Sequence, residues 1–129
     1  MERKSEEDKR VSSNVEVTKC VLHLNVAESF LRYTQHPAHV IWGATEANLI
    51  KRMTLEEPIL DAGCGDGVFS MAVFDQVRVG LDLSKEYLHR AIRKNLYNSV
   101  ILGDLTSIPF KDESFKSIIC ICVLEHIQN

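Results

Sequence analysis

Three aspartates carry the strongest chemical signal in this chain. Asp61, Asp82 and Asp104 each end a short apolar run, and the intervals are 82 − 61 = 21 and 104 − 82 = 22 positions. Between the first two lies the turn Gly63-Cys64-Gly65-Asp66-Gly67. Glycine has no Cβ to block a ligand and adopts positive φ freely, so alternating glycines read as a tight turn approached closely by a bound molecule. A second apolar stretch starts at Val68 and marks a helix whose N-terminal amides can bind an acceptor such as a carboxylate.

The spacing separates two classes of nucleotide-like ligand. A dinucleotide fingerprint requires G-x-G-x-x-G, but the position for its third glycine is Val68. The turn instead reads G-x-G-x-G, with Asp61 before it and Asp66 inside it. A pyrophosphate meeting two carboxylates in a partly buried site is unfavourable, whereas an ammonium and a sulfonium suit them. An acid about twenty residues after such a turn is where a doubly wound fold holds ribose hydroxyls. The oxygens of Asp82 can accept from both hydroxyls, at about 1.5–3 kcal/mol for each charge-assisted bond. The plainer alternatives are a glycine turn without a ligand and a helix-flanking role for Asp82.

These residues need strands ending at the aspartates and helices between them. Pro58 to Asp61 reads as a buried strand, and Val77 to Asp82 as an alternating one. Ser84 then caps a helix through Glu86, Leu88, Ala91 and Ile92. Ser99 to Gly103 forms the third strand; Ser117 to Leu124, almost continuously apolar, suits a fourth covered on both faces. Upstream, Asn25 with Glu28 predicts a capping-box helix start, carrying Phe30, Leu31 and Tyr33. A second helix, Ala38 to Met53, places Val40, Ile41, Ala44, Ala47 and Ile50 at helical spacing. Pro37, between His36 and His39, marks its boundary. Gly43 costs this helix about 1 kcal/mol relative to alanine.

The stretch Asp61-Ala62-Gly63-Cys64-Gly65-Asp66-Gly67 resembles the first motif of the class I S-adenosylmethionine-dependent methyltransferases. Ile108-Pro109-Phe110 with Ser114-Phe115 resembles the connection found in their small-molecule, type 11 branch, although Lys116 stands where that branch often has Asp. The closing Leu124-Glu125-His126-Ile127 is also similar. The resemblance covers roughly residues 58 to 127 and implies an α/β, Rossmann-like parallel sheet with helices on both faces. It assigns cofactor contacts to Asp61, Gly63, Cys64, Gly65, Gly67, Asp82, Leu83, Asp104, Leu105 and Cys122. Asp104 receives the adenine amino group, the Leu105 amide meets a ring nitrogen, and the backbone at Cys122 and Val123 flanks the methionine part. Tyr33 and Trp42 are candidates for covering the cofactor or for the core. His126 is the candidate general base. Some related enzymes bind metal through such a Glu-His pair and another Glu three positions earlier; Cys122 occupies that place here, so no metal is expected.

The resembling sheet has seven strands ordered 3-2-1-4-5-7-6, of which this sequence supplies the first four, in order 3-2-1-4. The expectation is therefore a truncated domain, or a fourth-strand edge covered by self-association or another chain. The divisions are 1-12 as a charged, disordered lead-in, 13-56 as a helical extension over the cofactor site, and 57-129 as the cofactor-binding half. Eighteen acids against fifteen bases give a net charge of −3, which offers no footprint for nucleic acid. The apolar run Ile118 to Leu124 is too short to span a membrane, and no secretory signal is apparent, so a cytoplasmic protein is expected. Cys20, Cys64, Cys120 and Cys122 lack C-x-x-C spacing; the last two are expected on one face of the fourth strand. Three functions compete: methyl transfer to a small molecule, cofactor binding without turnover, and nicotinamide-dependent oxidoreduction.

Overall fold

The computed structural model describes residues 24–128. The charged lead-in and Cys20 lie outside the described residues. Four strands form one parallel sheet in the order β3-β2-β1-β4, with β1 Ile59–Ala62, β2 Val77–Asp82, β3 Tyr97–Leu102 and β4 Ser117–Ile119. This is the expected 3-2-1-4 arrangement. Strand β1 has neighbours on both edges, Leu60 pairing with Val79 and with Ile118, and is buried throughout because core clusters cover both of its faces. Leu60, Ala62, Val79 and Leu81 make one core cluster, against which Phe110 and Phe115 of the later connection pack. Those two rings meet edge to face, 4.9 Å between centroids. The unusual Lys116 lies on the surface, 3.8 Å from the Glu56 carboxylate.

Helices α1 Leu24–Leu31 and α2 Pro37–Ile50 pack together and against α3 Val68–Val73, burying Val26, Phe30, Val40, Ala44 and Ala47. His36 is extended at the N-cap of α2 and Pro37 occupies its first turn, as proline geometry requires. Among the described residues helix α1 already includes Leu24, so Asn25 lies within its span. The second helix ends at Ile50, three residues before the expected Met53, and turns at Lys51. Ile41 is exposed, because the α2 face that meets α1 and α3 runs through Val40, Gly43, Ala44 and Ala47. Trp42 and Tyr33 are exposed as well, Tyr33 standing beyond the end of α1. Gly43 has a packing reason: a Cβ there would sit 2.8 Å from the Phe30 ring.

The fourth strand differs most from expectation. Pairing with β1 stops at Asp61↔Ile119, one residue before β1 itself ends. The chain then leaves the sheet and turns at Cys122, whose φ is +54°. Hence Cys120 and Cys122 do not share a strand face. Ile119 is buried but Ile118 is 59% exposed, so only one face of β4 is covered among the described residues. Helix α4, Lys85–Arg93, begins as expected, with Ser84 Oγ accepting from the Tyr87 amide at 3.3 Å; Ile92 is exposed on it. No described helix is long and apolar enough to cross a membrane.

Candidate functional site at the glycine turn

The three aspartates take different positions. Asp61 is 3% exposed and receives two hydroxyl hydrogen bonds on Oδ2, from Ser70 of α3 at 2.5 Å and from Tyr97 of β3 at 2.6 Å. Burial raises its pKa above the usual carboxylate value, and the two hydroxyls oppose that rise. Asp82 stands at the open end of β2. Its Oδ2 accepts from the Gly65 amide at 2.8 Å and its Oδ1 from the Ser84 amide at 2.8 Å. Each carboxylate oxygen has room for another donor. Asp104 is exposed and caps a short 3-10 turn, Leu105–Ser107, through a 2.8 Å bond from the Thr106 amide. That amide holds its carboxyl below the usual range.

The turn is fixed by left-handed backbone at Gly63, Gly65 and Gly67. The Gly63 and Cys64 amides both donate to the Leu81 carbonyl, at 2.7 and 2.9 Å, bringing β1 and β2 together beneath the turn. The Val68 amide, at the start of α3, donates to Asp66 Oδ1 at 3.1 Å. Asp66 thus occupies that helix amide itself and also lies 3.8 Å from the Lys94 ammonium. Close approach at Gly63 comes from protein: a Cβ there would stand 2.4 Å from Val123. At Gly65, a Cβ would meet no atom within 4 Å.

A cleft follows the carboxyl ends of the strands in two compartments, of about 460 Å³ and about 190 Å³. Gly63, Asp82, Val123 and His126 border both. Cys64, Gly65 and Cys122 line the larger compartment, and Leu83, Asp104 and Leu105 the smaller. Eight of the ten proposed cofactor residues therefore share one cleft; Asp61 and Gly67 lie behind it. Burial, followed by the charges of Asp61 and Asp82, raises the Cys64 thiol pKa and keeps it protonated.

Several wall residues were not singled out from the sequence as ligand contacts. Phe30, Phe69 and Tyr87 line the larger compartment, and Ile127 the smaller. Phe30 was expected in a helix, but its position over the turn depends on α1 packing against α3. Gly80 offered a clue to the buried support: glycine inside a strand marks close approach. A Cβ there would stand 3.0 Å from the Tyr97 ring. A separate hollow of about 530 Å³, bordered by Ile41, Trp42 and Glu46, shares no lining residue with the cleft.

Residues 59–129, more than half the chain, match the family described as "Methyltransferase domain". The chain belongs to this methyltransferase family. It is 38% identical over 69 residues to uncharacterized protein MJ0638 of Methanocaldococcus jannaschii, covering 54% of this chain and 29% of that protein. It is 35% identical over 74 residues to the 18S rRNA (guanine-N(7))-methyltransferase of Bos taurus, covering 55% and 26% respectively. The chain thus spans under a third of the length of both relatives. A crystal structure of a SAM-dependent methyltransferase from Thermotoga maritima, described as a possible histamine N-methyltransferase, aligns with a TM-score of 0.56 at 21% identity. That alignment covers 74% of this chain and 46% of that one, and shows the shared Rossmann-like fold.

Proposed function

We propose that this methyltransferase domain binds S-adenosylmethionine in the cleft and transfers its methyl group to a small-molecule acceptor. The observation carrying this reading is the Asp82 carboxylate at the mouth of β2, beside Gly65, where a Cβ would meet open space. Asp82 suits the ribose hydroxyls. Asp104 and Leu105 border the smaller compartment, fitting the adenine edge. Gly63, Cys64, Gly65, Leu83 and Cys122 contribute the remaining walls. Asp61 acts from beneath, and Gly67 sets the entry to α3.

When bound, the cofactor supplies an activated methyl group. The chain's task is then to align an acceptor and exclude competing water. His126 borders both compartments and is the proposed base for an acceptor that must lose a proton. The bovine relative acts on rRNA by name; the near balance of eighteen acids and fifteen bases supports a small molecule here.

Equilibrium binding to Asp82→Ala and Asp82→Asn tests the assignment. Both variants should bind S-adenosylhomocysteine at least about tenfold more weakly than the wild type, from the loss of charge-assisted hydroxyl bonds. Unchanged affinity in a folded Asp82→Ala protein would remove Asp82 from the cofactor site.

A further inference from the structure

A hydrogen-bonded trio beneath the turn, buried Asp61 and Ser70 with half-buried Tyr97, has no place in ligand contact. Asp61, Ser70 and Tyr97 all lie outside the residues that line the cleft. Yet their hydrogen bonds join three elements around the turn. Asp61 belongs to β1, which enters it, Ser70 to α3, which leaves it, and Tyr97 to the start of β3. Both hydroxyls donate to the same carboxylate oxygen, Asp61 Oδ2, at 2.5 and 2.6 Å. The Tyr97 ring also fills space left by glycines: Cβ atoms at Gly67 and Gly80 would each stand 3.0 Å from it. Gly67 is the left-handed residue from which α3 starts. Thus one side chain braces the end of the turn by packing and its beginning by hydrogen bonding.

We propose that Tyr97 is a positioning residue for cofactor binding: with Ser70 it locks the Asp61 carboxylate beneath the turn and holds Gly63–Gly67 in the conformation that walls the cleft. This rests on the cofactor reading above and adds a residue outside the glycine motif. It also makes binding depend on the proton of a group that no ligand touches. The titratable groups facing Asp61 are Tyr97 from β3, Asp82 at the end of β2, Cys64 in the turn and Cys120 beyond β4. Burial and the Asp61 charge raise the pKa of Tyr97, so its phenol remains a donor. A protonated Asp61 accepts more weakly from both hydroxyls and offers no negative charge beneath the ligand's ammonium group, which S-adenosylhomocysteine retains.

Tyr97→Phe keeps the ring and removes one donor; Ser70→Ala removes the other and leaves the ring packing intact. Titration of each folded variant with S-adenosylhomocysteine between pH 5 and pH 8 is the test (an assay range, chosen around neutrality). Both should bind about tenfold more weakly near neutral pH. Their loss of affinity on acidification should set in at a higher pH than in the wild type, because a carboxylate deprived of a donor keeps its proton longer. If Tyr97→Phe does not fold, Ser70→Ala decides the outcome. Wild-type affinity in the folded variants, or an equal loss at every pH without a shifted acid limb, overturns the proposal. A folded wild type that binds no S-adenosylhomocysteine fails earlier, before any variant is compared, and overturns the cofactor reading together with this one.

Discussion

Gly63 and Gly65 stand two positions apart and share left-handed backbone, but their surroundings assign them different work. A methyl group at Gly63 would collide with Val123 at 2.4 Å, whereas one at Gly65 would enter open space. Gly63→Ala should therefore lower the melting temperature by several degrees, as overpacking of about 1–3 kcal/mol does in a small domain. Gly65→Ala carries only the left-handed backbone penalty, about 1–2 kcal/mol, and should weaken S-adenosylhomocysteine binding more than it weakens the fold. Thermal melts paired with binding isotherms check this; equal effects on both quantities for both variants would contradict it. The turn and its flanking acids were legible because their spacing is local. The separation of Asp61 from the cleft was not, because it depends on Ser70 and on Tyr97, which is 36 positions away.

Among the elements, the strands leading to Asp82 and Asp104 were readable from apolar runs that stop at an acid, although β3 spans Tyr97–Leu102, beginning two residues before the expected Ser99 and ending two before Asp104. Strand β4 was overextended because a continuous apolar run does not record where its neighbour ends. Pairing with β1 alone stops it at Ile119. Helix α2 shows the converse limit. Propensity gives Gly43→Ala a gain of about 1 kcal/mol, but the Phe30 ring 2.8 Å from the new methyl reverses the sign. That substitution should destabilise the protein by about 1–3 kcal/mol, read by denaturant unfolding. A more stable variant would show that the α1–α2 contact yields easily.

At the scale of the molecule, the sheet has two strands flanked on both edges, β1 and β2, and an outer strand, β4, whose other edge is unpaired among the described residues. Ile118 adds an exposed aliphatic side chain to that strand. Such edges invite pairing, so light scattering after size exclusion should show concentration-dependent association, reduced by Ile118→Lys. A monomer independent of concentration would contradict this. The parallel order and the family were both readable from the sequence, because motif order dictates sheet order in a doubly wound fold. The packing that sets Phe30 on the cleft wall was not, since it depends on which faces of α1, α2 and α3 meet.

Calorimetric titration of the purified chain with S-adenosylhomocysteine, with NADH as the control ligand, tests most directly whether this assembly forms a working S-adenosyl site. Saturable one-site binding of S-adenosylhomocysteine and none of NADH is the predicted result. No heat of binding from a chain shown by its melting transition to be folded, or preference for NADH, would contradict it.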